Sequence, residues 1–383
     1  MWKPTFTILR KLPLFKDKAS LQRFFFSGKT RLPKSTAKIT LVGASIGVLV
    51  GAGYGGYTHY KVNAKKNAPT ENEDFAFLKE APEYKPHYRI INESDSSNLH
   101  LILFQYRTCP FCCKVRAYLD SRGISYEIVE VDAVLRQAIK WSGYKKVPIL
   151  LAKVEGGYQQ ILDSTAIISV LETYLSDKST QLKDIIKFYP VTRYVNDAGK
   201  ESSDITNKYF IMHNVLDEKL NALEVEERKW RQWADQVLVH TLSPNVYRTP
   251  GEALETFNWF AEAGGWRQAF PAWECALMVY FGAAAMWIIA KRLKARHNIK
   301  DDARESLYDA AKVWMSAIKN KGTPFLGGDK PNLADVTVYG VLSSIEGCQA
   351  FQDLRNETEI GRWYDDITNA IHSRMGKVLA VQA

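Results

Sequence analysis

The chain is 383 residues long with only five cysteines, far too few for a disulfide scaffold, so a reducing compartment is expected. Its formal net charge of +9 is unevenly spread: residues 1–66 hold thirteen Lys or Arg and one acid, Asp17, while the remaining residues sum to −3. The basic balance belongs to the amino-terminal leader, which leaves nucleic-acid binding by the folded part without support.

Residues 1–38 are basic, nearly acid-free and carry serines, as a mitochondrial presequence does. Residues 39–57 run without a charge, long enough for one tilted membrane span. Gly43, Gly47, Gly51 and Gly55 fall on one helix face, which permits close helix–helix approach. A span and a processed leader both fit this stretch. The bases before it favour a cytoplasmic amino terminus and a lumenal remainder. The cysteine usage opposes that, and long folded segments weaken the charge rule, so the cytoplasm is expected for the folded part. Residues 58–98 are polar and read as a flexible tether.

Leu101-Ile102-Leu103-Phe104 reads as a buried strand and Lys114 to Leu119 as a helix, with Cys109-Pro110-Phe111-Cys112 between them. A cysteine at such a handover meets the unpaired N–H groups and the positive dipole end of the helix. Both favour thiolate, and CxxC cysteines so placed fall to a pKa of roughly 3.5–7.5. Zinc would require a second pair at ligand spacing, which Cys113, Cys275 and Cys348 do not provide, so no metal site is expected. Residues 125–131 alternate as a second strand and Ala133 to Trp141 reads as a second helix. Lys146 to Leu150 and the stretch from Gly156-Gly157 to Leu162 follow as strands. Asp163-Ser164-Thr165 is a cap signal for a third helix, Ala166 to Tyr174.

This β-α-β-α-β-β-α order, together with the Cys-Pro-Phe-Cys motif, resembles the glutaredoxin branch of the thioredoxin fold over residues 99–177. Val147-Pro148 matches that family's cis-proline position. The resemblance implies that Val147 and Pro148 present backbone to the cysteinyl part of glutathione. It also implies that Asp163 and Ser164, at a helix N-terminus, hold the γ-glutamyl end. The plainer alternative is that Asp163 and Ser164 only cap their helix. Tyr106, three residues before Cys109, is placed either to donate its phenol to a reacting atom or to fill the rim of the core.

Residues 178–204 read as a linker or insert, and residues 205–377 as helical with almost no strand signal. Val225 to His240 carries Trp230, Trp233 and Val237 on one face, and Asp301 to Lys319 carries Leu307, Ala310, Ala311 and Trp314. Cys275 to Ala290 is uncharged but short of the roughly 20 residues a span needs, and is expected to be a core helix. Asn332-Leu333-Ala334-Asp335 is a capping box variant opening the helix Val336 to Ile345, so Asp335 is read as a folding residue. This half resembles the all-α carboxy-terminal domain of the glutathione transferases, which starts its buried helix with the same box.

The two modules, with Trp230 to Asp235, Ser243 to Thr249 and Lys330 to Asp335, resemble the membrane-associated prostaglandin E synthases of type 2 from about Leu101 to Ile371. One departure is Cys113, a third thiol where that family is expected to hold serine. The resemblance implies an isomerase that turns prostaglandin H₂ into prostaglandin E₂. Cys109 would be the acting sulfur, Tyr106 the donor to a developing oxyanion, and Cys112 a supporting residue. It implies bound glutathione and non-covalent haem held through the glutathione sulfur. His240 would face the haem, and the haem form would fragment the endoperoxide to malondialdehyde and a hydroxy fatty acid. It further implies a homodimer on the Golgi membrane with a cytoplasmic catalytic part and a cleaved cytoplasmic form. A thiol–disulfide oxidoreductase and a non-catalytic glutathione- or haem-binding module remain open as alternatives.

Overall fold

The computed structural model describes residues 75–383 apart from 134, 196–198, 200, 213–217 and 382–383, so the leader and the 39–57 stretch lie outside the described residues. A sheet of seven strands carries the first module. The strands are β1 (Phe77–Leu78), β2 (Tyr88–Ile91), β3 (Leu101–Gln105), β4 (Tyr126–Glu130), β5 (Ile149–Val154), β6 (Gly157–Leu162) and, from the far end of the chain, Lys377–Ala380. Their order is β1-β6-β5-β3-β4-β2 followed by Lys377–Ala380. β3 and β4 pair in parallel across helix α1 (Pro110–Arg122), and the other neighbours are antiparallel. Helix α2 (Ser164–Ser176) follows β6. The central strand β3 is buried along its whole length, as its unbroken apolar run requires.

Two expectations for this module are corrected. The segment read as a tether is folded over its described part: Tyr88, Arg89 and Ile90 pair with β4, Ile90 is buried, and the Arg89 guanidinium sits 2.7 Å from Glu127. The second helix is replaced by one short 3₁₀ turn, Gln137–Ile139. Asp132 accounts for this, because its carboxylate accepts the amides of Leu135, Arg136 and Gln137 and so competes with the helix ladder. Arg136 then takes a left-handed φ of 52°, which ends any continuous helix there.

The insert forms a short helix α3 (Leu182–Ile185) and a hairpin of β7 (Val191–Val195) and β8 (Glu201–Ile205). Beyond it lie α4 (Glu218–Trp233), a π turn (Ala234–Leu238), α5 (Val239–Val246), α6 (Pro250–Ala263), α7 (Trp266–Ala269) and α8 (Ala272–Arg296). α9 (Ala303–Lys321), α10 (Leu333–Ser343), α11 (Gln349–Glu357) and α12 (Ile360–His372) complete the module. Trp230, Trp233 and Trp363 gather on the buried Trp314, with ring centroids 5.3, 6.3 and 5.4 Å from it. Val237 does not join its two tryptophans: the π turn shifts the helical phase after Trp233 and leaves Val237 46% exposed. The expected box is present, with Asn332 accepting from Ala334 and Asp335 while Asp335 accepts from Asn332, Leu326, Gly327 and Trp363. Asp335 is therefore spent on folding, as its motif predicts.

The uncharged stretch Cys275 to Ala290, which lies within helix α8, does not form a core helix. The helix packs one stripe, with Cys275, Met278, Val279 and Ala283 buried, while Trp273, Tyr280 and Phe281 are 62%, 68% and 71% exposed. Among the described residues it is the helix long and apolar enough to cross a membrane. The end of the helical module departs from expectation too, since residues 377–380 return to the sheet beside β2.

α10 lies against α1 with almost no space between them. A Cβ on Gly340 would stand 2.5 Å from the Lys114 Cα, so glycine is required for the approach. This contact seats the helical module on the helix that carries the cysteine motif.

Candidate active site

Three chain segments meet at one end of the sheet. Phe104 pairs with Ile149, and Ile149 with Leu162, so the loop after β3, Pro148 before β5 and Asp163 after β6 lie together. The loop carries Tyr106 and Cys109, and Val147-Pro148 is a cis bond. Tyr106, Cys109, Cys112 and Val147 pack around one apolar cluster with Phe104, Trp141 and Leu162.

Cys109 is the N-cap of α1 with Pro110 at the first helical position, where the missing proline N–H costs nothing. Its backbone is pinned on both sides: Cys109 N–H donates to Tyr106 O at 3.1 Å, and Cys113 N–H to Cys109 O at 2.8 Å. The Cys112 thiol, fully buried one turn on, hydrogen-bonds to the Cys109 sulfur and pulls its pKa below the ordinary thiol value. Burial opposes this, while the Phe111 and Cys112 amides and the Arg116 charge reinforce it. Burial and the neighbouring Cys109 sulfur push Cys112 well up. The two thiols are thus split in acidity, with the proton held more tightly at Cys112 than at Cys109. Burial raises Tyr106 as well, so its phenol is a donor throughout the physiological range.

Cys113, the extra thiol, is buried behind the motif. Its Sγ donates to Arg107 O at 3.3 Å and accepts from Arg116 Nη2 at 3.1 Å, and burial raises its pKa. It is a packed neutral thiol rather than a second nucleophile.

Asp163 has a φ of 66° and caps α2, its Oδ1 accepting from Thr165 N–H at 2.9 Å and Ala166 N–H at 3.2 Å. Its Oδ2 lies 3.9 Å from Lys208 Nζ. Ser164 is buried at the first helical position. The His240 ring stacks on His297, with centroids 3.9 Å apart and planes at 11°. Burial lowers its pKa, and the charges acting on it are His297, Asp235 and Arg296 rather than the motif sulfurs. His240 therefore does not join the cysteine cluster, because its ring is committed to the end of α8.

The glutaredoxin family profile matches residues 101–155. Prostaglandin E synthase 2 of Mus musculus is 49% identical over 283 residues, 72% of this chain and 71% of that protein. Prostaglandin E synthase 2 of Danio rerio is 47% identical over 292 residues, 74% and 75% of the two chains. The chain belongs to the prostaglandin E synthase 2 family. A solved glutathione S-transferase III in apo form is a remote likeness, 16% identical at a TM-score of 0.39 over 72% of this chain and 94% of that one.

In this member of the prostaglandin E synthase 2 family, sequence reasoning misses the group that fixes the motif helix. Lys114, fully buried in α1, forms an ion pair with Asp235 of the π turn. Lys114 also donates to Thr165 Oγ1 at 2.9 Å, and Thr165 Oγ1 and Tyr209 OH donate to Asp235 Oδ2 at 2.6 and 3.1 Å. Burial works against the Asp235 charge, but these donors outweigh it and hold its carboxyl below the usual range. One buried network thereby joins α1, the start of α2 and the helical module. Asp235 closes the sequence Trp230-Arg231-Gln232-Trp233-Ala234-Asp235, yet nothing in that string reveals a buried lysine partner 121 positions away.

Proposed function

We propose that the chain is an isomerase converting prostaglandin H₂ to prostaglandin E₂ through a thiolate at Cys109. The supporting observation is the placement of Cys109 as the N-cap of α1 at the rim of an apolar cluster, where the Cys112 thiol one turn on and the helix amides lower its pKa. The Cys109 thiolate attacks one oxygen of the peroxide, forming an S–O bond while the O–O bond breaks to leave an alkoxide on the other carbon. Tyr106 donates a hydrogen bond to that alkoxide, which takes up a proton and becomes the hydroxyl. Loss of the proton from the carbon bearing the S–O group moves the C–H electrons into the new ketone and returns sulfur as thiolate. No net oxidant or reductant is consumed.

Glutathione belongs to this reading as a bound thiol. The Val147 backbone would hold its cysteinyl part and Asp163 and Ser164 its γ-glutamyl end, supported by Asp163 Oδ2, which accepts neither of the helix amides that Oδ1 caps, beside a helix N-terminus. Haem stays outside the proposal, because His240 is stacked on His297. The same reading includes a homodimer and attachment through 39–57 to the cytoplasmic face of a Golgi membrane, with a cleaved cytoplasmic form. An N-glycan on Asn92 in cells would contradict that placement.

Full-length protein carrying Cys109→Ser should lose the isomerase reaction, since a hydroxyl is neither ionised nor strongly nucleophilic at neutral pH. Cys112→Ser should retain a substantial part, because its hydroxyl can still donate to the thiolate. Full turnover by Cys109→Ser would remove the sulfur from the mechanism. The dithiol oxidoreductase reading draws on the same Cys109–Cys112 contact. It predicts the opposite for Cys112→Ser, a crippled enzyme.

A further inference from the structure

We propose that Lys208, supplied by the segment between the modules, is a third binding residue of the γ-glutamyl subsite and receives the α-carboxylate of glutathione. This rests on the reading of Asp163 and Ser164 as the γ-glutamyl end of the site.

The backbone around Lys208 is fixed from several sides. Thr206 N–H donates to Pro190 O at 2.9 Å and Asn207 Nδ2 to Phe188 O at 3.0 Å. Ser169 Oγ of α2 donates to Lys208 O itself at 2.6 Å, Arg231 Nη1 to Tyr209 O at 3.1 Å, and Tyr189 OH to Phe210 O at 2.8 Å. A segment held this way carries its lysine to a defined place, and Nζ stands 3.9 Å from Asp163 Oδ2. The side chain is only 19% exposed and forms an ion pair with Asp204, four residues before it.

The ligand's chemistry matches this corner. The γ-glutamyl head bears an ammonium and a carboxylate on one carbon, so whatever holds the first has the second within about a bond's reach. Asp163 Oδ1 is occupied by the amides of Thr165 and Ala166, which leaves Oδ2 for the ammonium. With the ammonium there, the carboxylate would face Asp163 and Asp204, and the start of α2 alone supplies only a partial positive charge. Lys208 supplies the whole charge. Asp204 balances that lysine in the absence of ligand, so the cation is kept without requiring an anion from solution. Burial works against the Lys208 charge, but Asp163 and Asp204 outweigh it and hold the ammonium above the usual lysine value.

The test is calorimetric titration of full-length protein with glutathione and with γ-aminobutyryl-cysteinyl-glycine, which lacks only the α-carboxylate. Lys208→Met should bind glutathione roughly tenfold more weakly, the size of one partly solvated charge-assisted hydrogen bond. Lys208→Arg should stay within a few fold of the unaltered protein, and Lys208→Met should not change affinity for the decarboxylated analogue. Unchanged or tighter glutathione binding by Lys208→Met overturns the proposal, as does an equal loss for both ligands. Asp163→Asn, which preserves a good cap, separates the two layers. If it leaves glutathione affinity intact, the γ-glutamyl reading itself is wrong. If it weakens glutathione while Lys208→Met does not, only the role of Lys208 falls. Lys208→Gln, with thermal melts of every variant, distinguishes lost binding from lost folding.

Discussion

Cys109 owes the lowering of its pKa chiefly to a partner three residues away, and that dependence can be measured. A depressed pKa means that thiolate, the species that reacts with alkylating reagents, is populated at lower pH than for a free thiol. Cys112→Ala deletes the strongest stabilising contact but keeps the helix start, so Cys109 should titrate closer to an ordinary thiol near 8.5. Iodoacetamide labelling of Cys109, read by mass spectrometry across pH, should therefore move its midpoint upward in Cys112→Ala and less in Cys112→Ser. An unmoved midpoint would assign the shift to the helix amides and Arg116 instead. The sequence revealed this residue because a CxxC at a strand–helix handover constrains both chemistry and backbone within four positions. Lys208 and Asp235 were not legible in the same way. Each acts on α2 or α1 across a long sequence separation, and a lone lysine or aspartate in a polar or helical string carries no sign of its partner.

Elements were legible where the local pattern and the tertiary packing agree. β3, α1, α2 and α10 form where their apolar periods and caps predict. The failures occur where a local side chain or a remote strand overrides the period. Asp132 captures the amides that a helix over 133–141 would use, and β2 gains its pairing from β4 rather than from its own polar surroundings. The Gly340 contact is an element-scale property of the same kind, since a single glycine sets the separation of α10 from α1. Gly340→Ala would place its methyl carbon 2.5 Å from Lys114 Cα and 2.8 Å from Lys114 N, atoms of a backbone that cannot rotate away. The helices must part, at a cost of about 1–3 kcal/mol for overpacking. A lowered melting temperature, with slower Cys109 alkylation as the motif helix shifts, is the expected result. An unchanged melting temperature would mean that the two modules are not held together through this contact.

At the scale of the whole molecule, the exposed face of α8 is the largest mismatch between composition and surroundings. Trp273, Leu277, Tyr280, Phe281 and Ile288 recur at helical spacing and all stand exposed, ahead of Lys291 and Arg292. Aromatic side chains in a continuous stripe mark contact surfaces rather than ordinary scatter. The proposed homodimer predicts that a second copy covers this stripe, with aromatic anchors at its centre. Phe281→Glu would put a carboxylate into that contact while leaving the buried stripe of Cys275, Met278 and Val279 untouched. Sedimentation equilibrium should show the variant dissociating at concentrations roughly a hundredfold above those at which the unaltered protein does, as a few kcal/mol of charge burial requires. Circular dichroism should show no loss of helix. If the unaltered protein is already a monomer, or if Phe281→Glu keeps the dimer, the stripe does not join two copies. Loss of binding to anionic vesicles in that variant, with no change in oligomeric state, would instead assign the face and its flanking bases to a lipid surface.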